Sequence, residues 1–146
     1  MKVTGYTAYR IVKDINISVG DIIQHKSVNK AKMEALLEDV RRQSYPNLPS
    51  RQIALYVFNS IDDENTWMRR IGVNNSGYYL LKLSLTGDLF WLNSDLLHPN
   101  MSISEAETYW SSNFENISSN EFDFLPEGLF IGEAKVTDAY YKTFHF

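Results

Sequence analysis

Apolar residues change their spacing several times along the chain, and this decides which fold classes are open to it. Residues 30–43 carry apolar side chains at positions i, i+3, i+4 and i+7, which predicts an amphipathic helix whose buried stripe consists of Met33, Leu36, Leu37 and Val40. Residues 53–58 (IALYVF) and 78–85 (YYLLKLSL) are short, apolar runs that favour strands. Because helices and strands follow one another without a regular repeat, we predict an α+β fold with a bent, mainly antiparallel sheet and about three helices.

Short polar motifs predict where some of these elements begin or turn. The sequence Thr86-Gly87-Asp88 predicts a hairpin between two strands. The motif Ser104-x-x-Glu107 is similar to a capping box and predicts the start of a late helix. Glu127, which precedes Gly128, is predicted to lie in a turn.

Length and composition exclude several classes of protein. The chain has 146 residues, which predicts a single domain over residues 1–146. It has no cysteine, so we expect no disulfide framework, cysteine nucleophile or thiolate metal site. It has no apolar run of about 18 residues. It also has no apolar leader near residue 1, so we expect a cytoplasmic protein that does not enter a membrane.

Charges are distributed unevenly between the two halves of the sequence. Residues 1–70 contain 11 lysines and arginines against 8 acidic residues, whereas residues 71–146 contain 3 lysines against 10 acidic residues. This asymmetry fits a basic cleft for a phosphate-bearing ligand, and it also fits two helices that expose basic faces to solvent. No basic run reaches five residues. We therefore do not expect duplex nucleic acid as a partner.

Motifs of several common enzymes and metal proteins are missing from the sequence. It contains neither GxxxxGK[ST] nor GxGxxG, which argues against a P-loop and against a Rossmann dinucleotide site. Its three histidines, His25, His98 and His145, lack the spacing of metal ligands. We therefore expect no metal.

Two arginines beside predicted strands are candidates for binding the phosphates of a nucleotide ligand. Arg10 lies among apolar residues of a strand predicted over residues 7–13, where it must either reach water or pair with an anion. Arg51 follows Ser50 at the start of the IALYVF strand, which also contains Tyr56. Its guanidinium can form a bidentate pair with a phosphate or carboxylate, or a structural salt bridge to an acid of the C-terminal half.

Two carboxylates near residue 120 are candidates for catalysis. Phe122 and Phe124 alternate with Glu121 and Asp123, so both acids share one face of a predicted strand. Such a pair can act as a general base or stabilise an oxocarbenium ion. The other interpretation is a strand face that is simply solvated.

These segments, taken in order, resemble a family of uncharacterised bacterial proteins known only as a domain of unknown function. The resemblance covers nearly the whole chain but consists of short motifs: YRIV at 9–12, SRQIALYVF at 50–58, Trp67, EAETYW at 105–110 and EFDFLPEG at 121–128. The family is in turn similar to the ADP-ribosyltransferase-like fold, which binds NAD in a cleft between two bent sheets.

The resemblance implies an activity and roles for individual residues. Arg10 would neutralise the pyrophosphate of NAD. Ser50 or Tyr56 would take the second-strand position, and the tyrosine would stack on nicotinamide. Glu121, or Asp123 as second choice, would stabilise positive charge on the ribose. The implied function is an ADP-ribosyltransferase-like transfer with NAD as substrate.

A non-enzymatic function is the alternative, because a fold does not determine a function. Aromatic residues make up 14% of the chain, and its second half is acidic. Both features suit a protein-interaction module on the same fold, whose ligand is a protein partner or a second copy of the chain.

Overall fold

The computed structural model describes residues 1–13, 16–24, 31–72, 77–114 and 124–143. Within these ranges the chain forms five strands and three α-helices: β1 Lys2–Val12, β2 Ile22–Ile23, α1 Lys32–Ser44, β3 Leu55–Val57, α2 Glu64–Ile71, β4 Tyr78–Asn93, α3 Ile103–Ser111 and β5 Pro126–Lys142. A short 3-10 turn over Ile61–Asp63 precedes α2, and a second one over Ser94–Leu96 follows β4.

The five strands belong to one mainly antiparallel sheet in the order β1-β4-β5-β2, and β3 also pairs with β5. The register of β2 on β5 places Ile22 opposite Lys135 and Ile23 opposite Ala134. The predicted α+β class, with a mainly antiparallel sheet and three helices in the described ranges, is therefore confirmed.

The chain divides into two compact units. The first unit comprises Met1, His25–Tyr56 and Asp88–Ile131, and the second comprises Lys2–Gln24, Val57–Gly87 and Gly132–Phe146. Both long strands contribute residues to each unit, and each changes unit at a glycine with positive φ, 154° at Gly87 and 144° at Gly132. The single domain expected from the length stays a prediction.

The core of the first unit is built on the apolar face of α1, as the sequence predicted. Leu37 and Val40 are buried, and Met33 and Leu36 pack against the same cluster. The facing residues come from α3, β4, β5 and the segments beside them: Ala54, Leu92, Met101, Ala106, Tyr109, Trp110 and Leu129. The indole Nε1 of Trp110 donates a hydrogen bond of 2.8 Å to the Leu37 carbonyl oxygen, which ties α3 to α1.

One buried cluster of the second unit is rich in aromatic residues. Its buried residues are Ile11, Phe58, Met68, Tyr78 and Leu80. Phe58 stacks on Trp67 with ring centroids 6.0 Å apart, and its backbone forms an antiparallel bridge to Tyr9. The bridge fixes the end of β1 against the segment that follows β3.

The hairpin predicted at Thr86-Gly87-Asp88 is wrong, because β4 continues through all three residues. A hairpin requires the two halves to pair with each other, whereas β4 pairs with β1 and β5. The φ of 154° at Gly87 is accessible mainly to glycine, so the residue permits a local irregularity in the strand instead of a reversal.

The start of the late helix and the turn at Glu127 were also predicted wrongly. Helix α3 begins two residues earlier than expected, with Ser102 as its N-cap and Glu105 completing the capping box. The sequence contains two overlapping motifs of this type, and the earlier one is used. Glu127 belongs to β5 and is buried, because its carboxylate has a buried cationic partner.

Candidate functional site

Three of the predicted site residues lie close together in the first unit, where α1 is followed by a loop and by β3. The loop spans residues 45–54 and contains Ser50 and Arg51, while Tyr56 lies in β3. Arg41 of α1 donates a 2.9 Å hydrogen bond from Nη1 to the Leu48 carbonyl, and Tyr56 donates one of 2.6 Å from its hydroxyl to the Arg51 carbonyl. Hydrogen bonds from α1 and from β3 therefore hold the loop in place.

Arg51 lies at the centre of this group and is only 6% exposed. Its Nε is 3.1 Å and 3.0 Å from the two carboxylate oxygens of Glu34, and its Nη2 is 3.0 Å from Oε1 of the same residue. Its Nη1 donates to Oε1 of Glu127 at 2.8 Å and to the Tyr109 hydroxyl at 2.7 Å. The guanidinium thus links carboxylates of α1 and β5 to a tyrosine of α3.

Two aromatic rings cover the same guanidinium. Its Cζ lies 4.8 Å from the ring centroid of Tyr56 and 5.5 Å from that of Tyr109, within cation–π range. Burial opposes the positive charge, but the Glu127 carboxylate raises the pKa of Arg51 well above its usual value. Burial also raises the pKa of the Tyr109 hydroxyl well above its usual value. Arg51 is therefore charged, and Tyr109 is neutral, at every physiological pH.

The cluster holds two carboxyl groups for one guanidinium. Glu34 is 2% exposed and Glu127 is 3% exposed. Among the described residues, Oε2 of Glu127 has no hydrogen-bond partner, although Oε1 of the same group contacts Arg51. Buried acceptors without a donor are rare and costly, so this oxygen marks a position where a further donor is favourable.

Ser50 belongs to a second, shallower polar group beside Arg51. Its hydroxyl donates to Oε2 of Glu38, while Nε and Nη2 of Arg41 each lie 2.6 Å from Oε1 of Glu38. Burial disfavours the charge on Glu38, but the hydrogen bonds from Ser50 and Arg41 outweigh it and lower the pKa of the carboxyl. The carboxylate thereby fixes the orientation of the Ser50 hydroxyl.

The remaining predicted site residues do not belong to this described group. Arg10 is half-buried on β1 in the second unit, between Tyr9 and the buried Ile11. Glu121 and Asp123 lie outside the described residues. The structure therefore gathers Ser50, Arg51 and Tyr56, whose roles toward a ligand stay predictions. Arg51 forms a salt bridge to Glu127, an acid of the C-terminal half, which is the second of the two interpretations that the sequence left open for this arginine.

One family matches nearly the whole chain. The sequence model of the family described as a protein of unknown function, DUF2441, matches residues 6–142. The chain belongs to the DUF2441 family. This confirms the expected membership of a family of unknown function. A search of curated proteins found no match.

Every residue of the Arg51 cluster lies within the DUF2441 match, yet sequence reasoning missed three of them. Glu34 lies three residues before Leu37, so a charged residue interrupts the apolar stripe of α1, and this was a usable signal. Tyr109 belongs to the EAETYW motif, which predicts no role for its hydroxyl. Glu127 was assigned to a turn because it precedes Gly128.

The described ranges of this DUF2441 chain contain neither a candidate metal site nor a candidate membrane-spanning helix. No group of three or more histidine, aspartate or glutamate residues there could hold a metal ion. Likewise, none of the helices in the described part of the chain has the length and apolar character needed to cross a membrane.

Proposed function

We propose that this DUF2441 domain is an NAD-using transferase of the ADP-ribosyltransferase type. One observation carries the proposal: Ser50, Arg51 and Tyr56, which the sequence predicts to bind a nucleotide, lie close together, and Arg51 contacts Glu127 of the late strand β5. The α+β fold with its mainly antiparallel sheet is compatible with it.

The contacts of the cluster suggest which role each of these residues has in the proposed reaction. Arg51 is enclosed by Glu34 and Glu127, so its role in the proposal is to position the loop that carries Ser50. Tyr56 supplies a ring for stacking on nicotinamide, and Arg10 pairs with the pyrophosphate. Glu121 or Asp123 is the acid that stabilises the ribose cation.

The proposed reaction breaks the glycosidic bond between nicotinamide and ribose. Nicotinamide leaves with the bonding electron pair, and positive charge develops on the ribose. A nucleophile of the acceptor then bonds to the anomeric carbon and releases its proton to solvent. An ionised carboxylate close to the sugar stabilises the cation, so it acts mainly on the transition state.

The test measures nicotinamide release and the heat of NAD binding for purified wild type, Glu121→Gln and Asp123→Asn. We expect the essential acid to lower the rate by about a hundredfold or more when neutralised, with NAD affinity nearly unchanged. Glu133→Gln is the matched control, because Glu133 is an exposed acid on β5 and loses the same charge.

A binding module without catalysis is the second candidate. It is favoured by the enclosure of Arg51, whose guanidinium contacts two carboxylates of its own chain. No nicotinamide release by wild type, together with no heat from NAD at millimolar concentration, would refute the transferase and favour this candidate. Release that is equal in wild type and both acid variants would refute the assigned acids only.

A further inference from the structure

The surroundings of Arg51 have the composition of a receptor for a planar cation. Two carboxylates, Glu34 and Glu127, meet the edge of the guanidinium, and two rings, Tyr56 and Tyr109, cover it. We propose that these four side chains form a guanidinium-binding site that Arg51 fills as an internal ligand. On this proposal the site also binds a free guanidinium when the Arg51 side chain is removed.

The contacts at the edge select a guanidinium over an ammonium ion. Nε and Nη2 both point to Glu34, and Nη1 is shared between Glu127 and Tyr109. These directions follow the fixed fork of a guanidinium, whereas an ammonium group is a compact and strongly hydrated point charge. The two rings add cation–π contacts that a planar, weakly hydrated cation uses best.

The four receptor side chains come from elements that are anchored without the Arg51 side chain. Glu34, Tyr109 and Glu127 belong to α1, α3 and β5, which meet in the apolar core of the first unit. Tyr56 bonds to the main-chain carbonyl of Arg51, which remains in any substitution at that position. Removing the Arg51 side chain therefore vacates the site while its walls keep their supports.

The site contains one hydrogen-bond acceptor that Arg51 does not use. Among the described residues, Oε2 of Glu127 is buried without a partner. An arginine side chain offers five N–H donors, and the free guanidinium ion offers six. A small guanidinium can also shift within the vacated space, so it can reach this oxygen where the tethered side chain does not.

The experiment uses full-length Arg51→Ala and follows its melting temperature with added methylguanidinium or guanidinium chloride. Salt is kept at millimolar concentration, far below the range in which guanidinium denatures proteins. We expect the melting temperature to rise with the logarithm of the ligand concentration once that concentration exceeds the dissociation constant. A ligand at ten times its dissociation constant raises the ratio of native to unfolded protein about elevenfold. Equal concentrations of ammonium or sodium chloride should leave the melting temperature unchanged.

Two control proteins make the response specific. Wild type should show no rise, because Arg51 occupies the site. Arg51→Ala/Glu127→Gln should lose most of the rise, because one of the two carboxylates is neutralised. An equal rise with ammonium, or an equal rise in wild type, would overturn the proposal.

Refolding decides the matter if Arg51→Ala does not fold by itself. The variant is then diluted from urea with methylguanidinium, with ammonium or with sodium at the same millimolar concentration. Recovery of the native circular dichroism with methylguanidinium alone supports the site. No recovery, or the same recovery with every salt, contradicts it. This inference does not depend on the proposed NAD chemistry, since no nucleotide enters the experiment.

Discussion

The two units each place a buried glutamate in a hydrogen-bonded ion cluster, but the cations that pair with these glutamates differ in exposure. In the first unit, Arg51 is 6% exposed and pairs with Glu34 and Glu127, which are almost fully buried. In the second unit, Glu64 accepts from the Tyr78 hydroxyl and lies 2.8 Å from Nζ of Lys142, whose side chain is 41% exposed.

The exposure of the cation affects how much each cluster loses when that cation is removed. A charge near the surface is solvated even when its partner is lost, so an exposed ion pair contributes little. A charge that is buried cannot recover its hydration, and losing its partner is therefore severe. The Arg51 cluster thus joins four segments of the first unit, namely α1, the loop over residues 45–54, α3 and β5. The Glu64 cluster joins α2, β4 and β5 in the second unit.

The largest expected effect is that of Arg51→Ala in the first unit. The substitution leaves two buried carboxylates without a counter-ion, and breaking a buried pair typically costs about 3–5 kcal/mol. Urea unfolding followed by circular dichroism measures the loss. Lys142→Ala is the matched change in the second unit and should cost less than Arg51→Ala, because that ammonium is partly solvated and the buried Glu64 keeps the Tyr78 hydroxyl as a donor. Equal losses for the two variants would contradict the comparison.

An intermediate effect is expected for Tyr78→Phe in the second unit. Tyr78 is buried and its hydroxyl donates to Glu64, so the variant removes one hydrogen bond to a charged group. Such a bond contributes about 1.5–3 kcal/mol, and the Lys142 contact that remains favours the lower end.

The control for this prediction is Tyr79→Phe. Tyr79 is the next residue of β4, and its ring packs against Tyr141 at 4.9 Å, a contact that phenylalanine retains. Urea unfolding should therefore show little change for the control. A loss in Tyr78→Phe as large as that in Arg51→Ala would mean that the second cluster is as dependent on its partners as the first.

The sequence predicts the helical periodicity of α1 well and long-range contacts poorly. The stripe of α1 follows from spacing alone, because helical periodicity is a property of neighbouring residues. Arg51 was predicted to pair with a phosphate or a carboxylate, but its carboxylate partners lie 17 residues before it and 76 residues after it. The order of strands brings Glu127 to Arg51, and no local pattern contains that order.

The dependence on distant segments also explains why the hairpin at Gly87 and the turn before Gly128 were predicted wrongly. Thr86-Gly87-Asp88 has the composition of a turn, and a glycine with positive φ is present there, but the pairing of β4 with β1 and β5 keeps the strand continuous. Glu127 before Gly128 also has turn composition, yet its carboxylate is buried against Arg51. In both places the outcome depends on distant segments, while the composition reports only the local backbone preference.

The smallest expected effect concerns an exposed cluster at the start of α3, and it is a dependence on pH. Hydrogen bonds from the Ser102 backbone and from His98 lower the pKa of Glu105 from 4.5 to about 2. Because the pKa is lower in the folded chain, the carboxylate stabilises the fold above its unfolded pKa. That contribution is lost as the pH falls from about 4.5 toward 2. Glu105→Gln keeps an acceptor for Ser102 but cannot titrate, so its stability should fall less steeply over this range.

Urea unfolding of wild type and Glu105→Gln at several pH values between neutral and strongly acidic measures this slope. Glu107→Gln is the matched control, because Glu107 is an exposed glutamate on the same helix outside the capping box, and it should keep the wild-type slope. The effect is expected to be the smallest of the three because solvent surrounds Glu105 on most sides. A slope in Glu105→Gln identical to that of wild type would show that a solvated cap contributes nothing measurable, which would sharpen the contrast with the buried Arg51 cluster.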